Sequence, residues 1–174
     1  MQLMDIDKQT YRKNTNLVIM GFVASLAILA LVYGGVLIHF FGATETVSGE
    51  STGNFHLNLI GVILAMLTCG AVLNTQKQKP FMREVYYVWR LKQLHNQIYR
   101  KLTKIKQAAD NEEVNAFIIL SFYFASLKQV YTLDDNTLTI STVDKDLMQL
   151  NDKIAALGLT ITPDLFEPEM LDQI

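Results

Sequence analysis

The chain has 174 residues, of which half are apolar and 18% are charged, and its formal net charge is −2. Its single cysteine, Cys69, excludes a disulfide framework and any metal site built from several cysteines of one chain. Charged residues are scarcer and apolar residues slightly more frequent than in an ordinary soluble domain, so we expect part of the chain to lie outside water.

The first long apolar segment is residues 17–41, which carry no charged side chain and one strongly polar residue, His39. As a helix these 25 residues would be about 37 Å long, which is enough to cross a hydrocarbon core of about 30 Å. The segment is about twice as long as the apolar region of a secretory signal peptide, and no Ala-x-Ala-like cleavage site follows it. We therefore predict a transmembrane helix.

A second span is predicted over residues 57–74, and the connecting loop is residues 42–56. That loop carries Glu45 and Glu50 but no lysine or arginine. Basic residues precede the first span and follow the second, namely Lys8, Arg12, Lys13, Lys77, Lys79 and Arg83. By the positive-inside rule, the N-terminal segment 1–16 and the C-terminal part should both be cytoplasmic, with the loop in the periplasm.

Residues 75–174 are predicted to form a cytoplasmic helical domain. Its first helix should run from Pro80 to about Ala109, with an apolar heptad pattern in which His95 takes an a position and Glu84 a d position. The apolar members of this pattern are Phe81, Val88, Leu91, Ile98, Leu102 and Ile105. The pattern does not decide whether this helix projects from the membrane or lies on its surface.

The segment 114–133 is apolar almost all round, and two interpretations compete for it. The uncharged run before Lys128 has only 14 residues, which favours a buried core helix over a third span. A third span would place the C-terminus on the other side of the membrane. We expect Asp110 or Asn111 to cap this helix, with the acidic pair Glu112 and Glu113 in its first turn.

Residues 134–137 are typical of a turn, and residues 138–141 suggest a short extended stretch. Ser141 or Thr142 should then cap an amphipathic helix that ends at Gly158, and a short turn is expected at Thr162–Pro163. The buried face of this helix should contain Val143, Leu147, Leu150, Ile154 and Leu157. The predicted fold class is an all-α membrane protein: a two-helix transmembrane hairpin with a C-terminal cytoplasmic helical domain.

Charge is divided sharply along the cytoplasmic part. Residues 77–106 have a net charge of +8, and residues 107–174 have a net charge of −9. Packing between these two blocks is the simplest interpretation. The basic block also contains aromatic residues suited to a membrane interface, so it is a candidate contact surface for anionic lipid or a partner protein. Its candidate contact residues are Lys77, Lys79, Arg83, Tyr86, Tyr87, Trp89, Arg90, Arg100, Lys101 and Lys104.

No catalytic motif stands out, so we expect neither an enzyme nor a cofactor nor a metal site. His39 and His56 end the two spans without metal-ligand spacing. His95 is most simply a hydrogen-bonded core residue or a residue that fixes the register of a coiled coil. Small residues four positions apart, as in Gly21 with Ser25 and Gly61 with Ala65, let helices approach closely. These pairs are candidate packing positions between the spans or between protomers.

The chain resembles an uncharacterised family of gammaproteobacterial two-span inner-membrane proteins. The resemblance is carried by TYRKNTNLVIMGFVASL, NLIGVILAMLTCGAVLN, PFMREVYYVWRLKQLHNQIYRKL and QVYTLDDNTLTI. It implies an inner-membrane location in a Gram-negative cell, and it implies no activity.

The expected function is therefore a non-enzymatic accessory or anchoring subunit that binds itself or another membrane protein. A sensor of anionic lipid or of the membrane surface, using the basic aromatic helix 77–106, is the alternative, and a small oligomeric channel is a second one. An acidic second half on a membrane-tethered domain argues against nucleic-acid binding.

Overall fold

A computed structural model describes residues 2–43 and 53–174. The described residues form five α-helices and two 3₁₀ turns and contain no β-strand. The helices are α1 (Lys8–Phe41), α2 (Phe55–Gln76), α3 (Pro80–Asp110), α4 (Val114–Leu133) and α5 (Thr137–Ala156), and the turns are Pro163–Leu165 and Pro168–Gln173. The predicted all-helical class is confirmed.

The chain divides into two compact units. Unit 1 combines the N-terminal residues through Arg12 with Glu84–Ile174, and unit 2 is Lys13–Arg83. Helix α1 therefore starts in unit 1 and continues in unit 2, whereas the sequence placed the domain boundaries at residues 16 and 75.

Unit 2 contains an antiparallel pair of apolar helices. The two helices approach each other closely at Gly34 and Gly61, where a Cβ added to Gly61 would lie 2.6 Å from the Gly34 nitrogen. The Tyr33 hydroxyl lies 3.2 Å from Thr68 Oγ1, and the Asn54 side chain bonds both polar atoms of the Ala43 backbone. Leu57, Gly61, Ala65 and Cys69 are buried, whereas most of the large apolar side chains of both helices are exposed.

Unit 1 is built around α4, which is buried over almost its whole length. Helix α3 covers it with its heptad face, on which Val88, Leu91, His95, Ile98 and Ile105 are buried. Helix α5 contributes Val143, Leu150 and Ile154. The N-terminal arm, residues 2–12, contributes Ile6 and Tyr11, and the C-terminal tail, residues 163–174, contributes Phe166 and Leu171. The apolar all-round pattern of α4 follows from this central position.

The turn between α3 and α4 differs from the prediction. Neither Asp110 nor Asn111 caps α4: Glu113 occupies the N-cap position and makes no side-chain capping bond. Glu112 has a φ of 64°, and the Glu113 N–H bonds the Ala108 carbonyl at 3.0 Å. This geometry is a Schellman motif, so the two glutamates close the end of α3 instead of filling the first turn of α4.

The expected extended stretch at residues 138–141 is also wrong, because α5 begins at Thr137. Asp135, at a φ of 57°, ends α4 in a tight turn in which the Asn136 N–H bonds the Tyr131 carbonyl. The β-branched residues that suggested a strand lower helix propensity by only tenths of a kcal/mol. The end of α5 is as predicted: Gly158 has a φ of 64°, and the Leu159 N–H bonds the Ile154 carbonyl at 3.1 Å.

Candidate functional site

The heptad packing of α3 in unit 1 leaves its opposite side exposed. We call this side the outward face and define it by Tyr86, Trp89, Arg90, Arg100 and Lys104. Trp89 is 53% exposed, and its ring stacks on Tyr86 with a centroid distance of 5.6 Å. Arg90, Arg100 and Lys104 are exposed. The outward face is therefore both basic and aromatic.

Its cations are not neutralised within the described part of the chain. The five ion pairs found there are Lys8–Asp135, Arg12–Asp135, Lys92–Asp134, Lys128–Asp144 and Lys153–Asp110. In this set Lys92 is the only basic residue of α3, and it bonds Asp134 at 2.7 Å. Packing between the basic and acidic blocks therefore accounts for Lys92 but leaves Arg90, Arg100 and Lys104 available to a partner.

Two predicted contact residues have roles inside unit 1. Tyr87 is buried, and its hydroxyl accepts a hydrogen bond from the Met4 N–H at 2.9 Å. Lys101 donates to the backbone carbonyl of Leu171, with the Ile174 oxygen 3.4 Å away. Tyr87 therefore holds the N-terminal arm, and Lys101 holds the C-terminal tail.

Sequence reasoning missed an acidic cluster at the turn between α4 and α5. Asp135 pairs with Lys8 and Arg12, and Asp134 accepts a bond from the Tyr11 hydroxyl at 3.1 Å as well as from Lys92. The cluster ties the start of α1 to the rest of unit 1. The sequence signal for this cluster is the opposite charge of the segment around Arg12 and the segment around Asp135. Because 123 residues separate Arg12 from Asp135, this signal does not show that the two segments meet.

His95 is a hydrogen-bonded core residue, as the sequence predicted. Its Nε2 lies 2.8 Å from Ser126 Oγ, and the serine hydroxyl donates to the Tyr123 carbonyl. Because the serine proton is committed in this way, His95 Nε2 is the donor to Ser126. Burial, followed by the positive charge of Lys92, lowers the pKa of His95 from 6.5 to about 4.

The remaining candidate residues lie in unit 2. Lys77 is half-buried, while Lys79 and Arg83 are exposed. Gly61 and Ala65 are buried between α1 and α2. Ser25 is exposed, and a Cβ added to Gly21 would have no atom within 4 Å. The structure thus places one small-residue pair in the helix contact and leaves the other open.

No group of three metal-ligating side chains occurs within residues 2–43 and 53–174. His56 Nδ1 lies 2.9 Å from the Gly53 carbonyl oxygen. Glu45 and Glu50 lie outside the described residues.

A family model described as "Protein of unknown function (DUF3087)" matches residues 1–171, in agreement with the expected membership of an uncharacterised family. No curated protein and no solved structure matches the chain.

Proposed function

The chain belongs to the DUF3087 family, whose function is unknown, and we propose that it is a two-span membrane protein that acts as a non-enzymatic anchoring or accessory subunit. Helices α1 and α2 cross the bacterial inner membrane, and unit 1 is held at the cytoplasmic surface. Unit 1 works by contact with another protein, and the outward face of α3 is its contact surface.

One observation carries this proposal: the N-terminal arm folds into the same unit as Glu84–Ile174. The Met4 backbone bonds both Tyr87 and Gln129, and Leu3 bonds Asp164. A compact unit cannot be built from segments on opposite sides of a bilayer, so this shared unit supports an even number of membrane crossings between Arg12 and Glu84.

The burial of the apolar helices supports the same count. Three helices, α1, α2 and α4, are long and apolar enough to cross a membrane. The most apolar window of α4 is 72% buried, against 6% for α1 and 22% for α2. A helix with its apolar surface already buried gains little from lipid. This favours α1 and α2 as the spans and α4 as a core helix.

The outward face fits an acidic protein surface. Interfaces are enriched in tyrosine, tryptophan and arginine, which combine a large contact area with hydrogen bonding. Arg100 and Lys104 are 20 and 24 residues beyond Pro80, which is about 30 and 36 Å along a helix. If α3 projects from the membrane, these cations lie beyond the reach of headgroup charge.

A photocrosslinking experiment in native membranes tests the proposal. A photoreactive residue replaces exposed Gln93 or Gln97 beside the outward face, and exposed Met148 on α5 serves as the matched control. We expect protein adducts from both α3 positions and none from position 148. The charge-reversed variant Arg90→Glu/Arg100→Glu/Lys104→Glu should lose these adducts, whereas Lys145→Glu should keep them.

Reversal of three cations should weaken an electrostatically matched contact by at least about tenfold. Adducts that persist after charge reversal, or that form equally from position 148, would contradict the proposed surface. Adducts with lipid alone would favour a second candidate function, a sensor of the anionic membrane surface. The stacked pair of Trp89 and Tyr86 supports that candidate, which requires α3 to lie along the bilayer.

A further inference from the structure

Unit 2 contains a groove between the middle of α1, from Leu17 to Leu29, and the end of α2. It has a volume of about 260 Å³. Its walls are almost entirely apolar, with Leu17, Phe22 and Leu29 on α1 and Val72 and Leu73 on α2. Phe81 and Met82 border the end at which α2 finishes, and Gln76 is the polar residue at that level.

Basic residues lie close in sequence to the groove residues at the same end of the helix pair. Lys13 precedes the groove residue Leu17 by four positions, Lys77 follows Gln76, and Arg83 follows Met82. Together with Lys79, these are all the charged side chains in the described part of unit 2, which contains no aspartate or glutamate. None of the four cations forms one of the ion pairs found in the described chain.

We propose that this groove binds one anionic phospholipid, with an acyl chain between α1 and α2 and its phosphate among Lys13, Lys77, Lys79 and Arg83. The proposal rests on the assignment of α1 and α2 as membrane spans. Ligand sites are typically apolar clefts with a few polar groups that fix orientation. An apolar groove with cations at one end matches an anionic phospholipid, whose charge is also at one end.

Charge complementarity decides between a lipid and the helix of a second copy. The described parts of α1 and α2 carry no acidic side chain, so the spans of a second copy would bring nothing to pair with the four cations. An anionic headgroup supplies that charge, and each lysine or arginine near it strengthens binding by about fivefold. The residue Gly21 keeps the α1 wall open, because no atom lies within 4 Å of the position that its Cβ would occupy.

Native mass spectrometry of the full chain in detergent tests the proposal, with phosphatidylglycerol and phosphatidylcholine of identical acyl chains as probes. We expect retention of one phosphatidylglycerol, preferred by at least about tenfold because several cations contribute. Gly21→Leu fills the groove and should remove this retention. Gly35→Leu is the matched control, since Gly35 also has no atom within 4 Å and lies outside the groove.

The charge-neutral variant Lys77→Gln/Lys79→Gln/Arg83→Gln should lower the preference for phosphatidylglycerol over phosphatidylcholine to about fivefold, because only Lys13 remains. Equal retention of both lipids by the unaltered chain, or unchanged retention in Gly21→Leu, would overturn the proposal. A lipid-independent dimer that Gly21→Leu disrupts would assign the groove to a second copy. These results differ from a failure of the two-span assignment, which would place the two chain ends on opposite sides of the membrane, and from a failure of the proposed contact surface, which the crosslinking experiment would show.

Discussion

Replacing Phe166 with alanine is expected to release the C-terminal tail from unit 1. The Phe166 ring is fully buried and stacks on the equally buried ring of Phe122, with centroids 4.1 Å apart and planes inclined by 14°. Truncation of a buried phenylalanine costs about 3–5 kcal/mol, because it removes both transfer free energy and packing contacts. The tail is also held by the buried side chain of Leu171 and by hydrogen bonds from Lys101 and Asn115. Phe166 is nevertheless its largest fully buried side chain, so we expect this loss to exceed the local stability of the tail.

Hydrogen exchange of the full chain in detergent would measure this effect. Amides of residues 163–174 should lose protection in Phe166→Ala, while those of α3 and α4 keep most of theirs. Leu165→Ala is the matched control. The Leu165 side chain is 48% exposed, so its truncation should change the protection of the tail little. Equal protection of the tail in the Phe166→Ala variant and the unaltered chain would show that the stacked pair does not hold it.

The second large expected effect is a loss of stability in acid that depends on His95. The unfolded chain takes up the imidazole proton near pH 6.5, whereas burial against α4 keeps the folded His95 neutral down to a pKa of about 4. Between these values the unfolded state binds more protons, so the free energy of unfolding falls as the pH falls. The difference corresponds to about 3 kcal/mol, lost between pH 7 and pH 4.

Urea unfolding of the full chain in detergent, followed by circular dichroism at pH 7 and pH 4.5, tests this expectation. His95→Gln should keep a donor to Ser126 but remove the titration, so its stability should depend much less on pH than that of the unaltered chain. The control His39→Gln, at an exposed position, should keep the full dependence. A pH dependence in His95→Gln equal to that of the unaltered chain would contradict the assignment to His95.

Local sequence signals predicted much of the helical layout. Uninterrupted apolar runs located α1 and α2, the heptad spacing located α3 and its buried face, and Gly158 marked the end of α5. Each of these signals depends on neighbours within a few residues. The error at residues 138–141 arose because a local preference for strand was weak compared with the packing and turn geometry that begin α5 at Thr137.

Contacts between distant segments could not be predicted in this way. Nothing near Met4 indicates that its backbone meets Tyr87, which is 83 residues away, and nothing near Phe166 indicates a stacked partner in α4. The prediction of the contact residues on α3 was partly wrong for the same reason. Tyr87 and Lys101 have the same composition signal as Trp89 and Arg90, and only the three-dimensional structure shows that they bind the arm and the tail.

The N-terminal arm connects the beginning of α1 to unit 1. Both chain segments that flank the α1–α2 pair belong to unit 1, so α1 and α3 connect the pair to the same folded body. The ion pairs of Asp135 with Lys8 and Arg12 are solvent-accessible and contribute modestly by themselves. Burial of Ile6 and Tyr11 supplies the larger part of the attachment.

Cysteine accessibility in intact cells tests the two-span claim most directly. In a Cys69→Ser background, single cysteines replace Gln2 in the arm, Ser48 between α1 and α2 in the sequence, or Leu138, which is 90% exposed just beyond α4. A membrane-impermeant maleimide that reaches the periplasm should label position 48 in intact cells and positions 2 and 138 only after lysis. Labelling of positions 2 and 138 from opposite sides would mean that α4 crosses the membrane and would contradict the account.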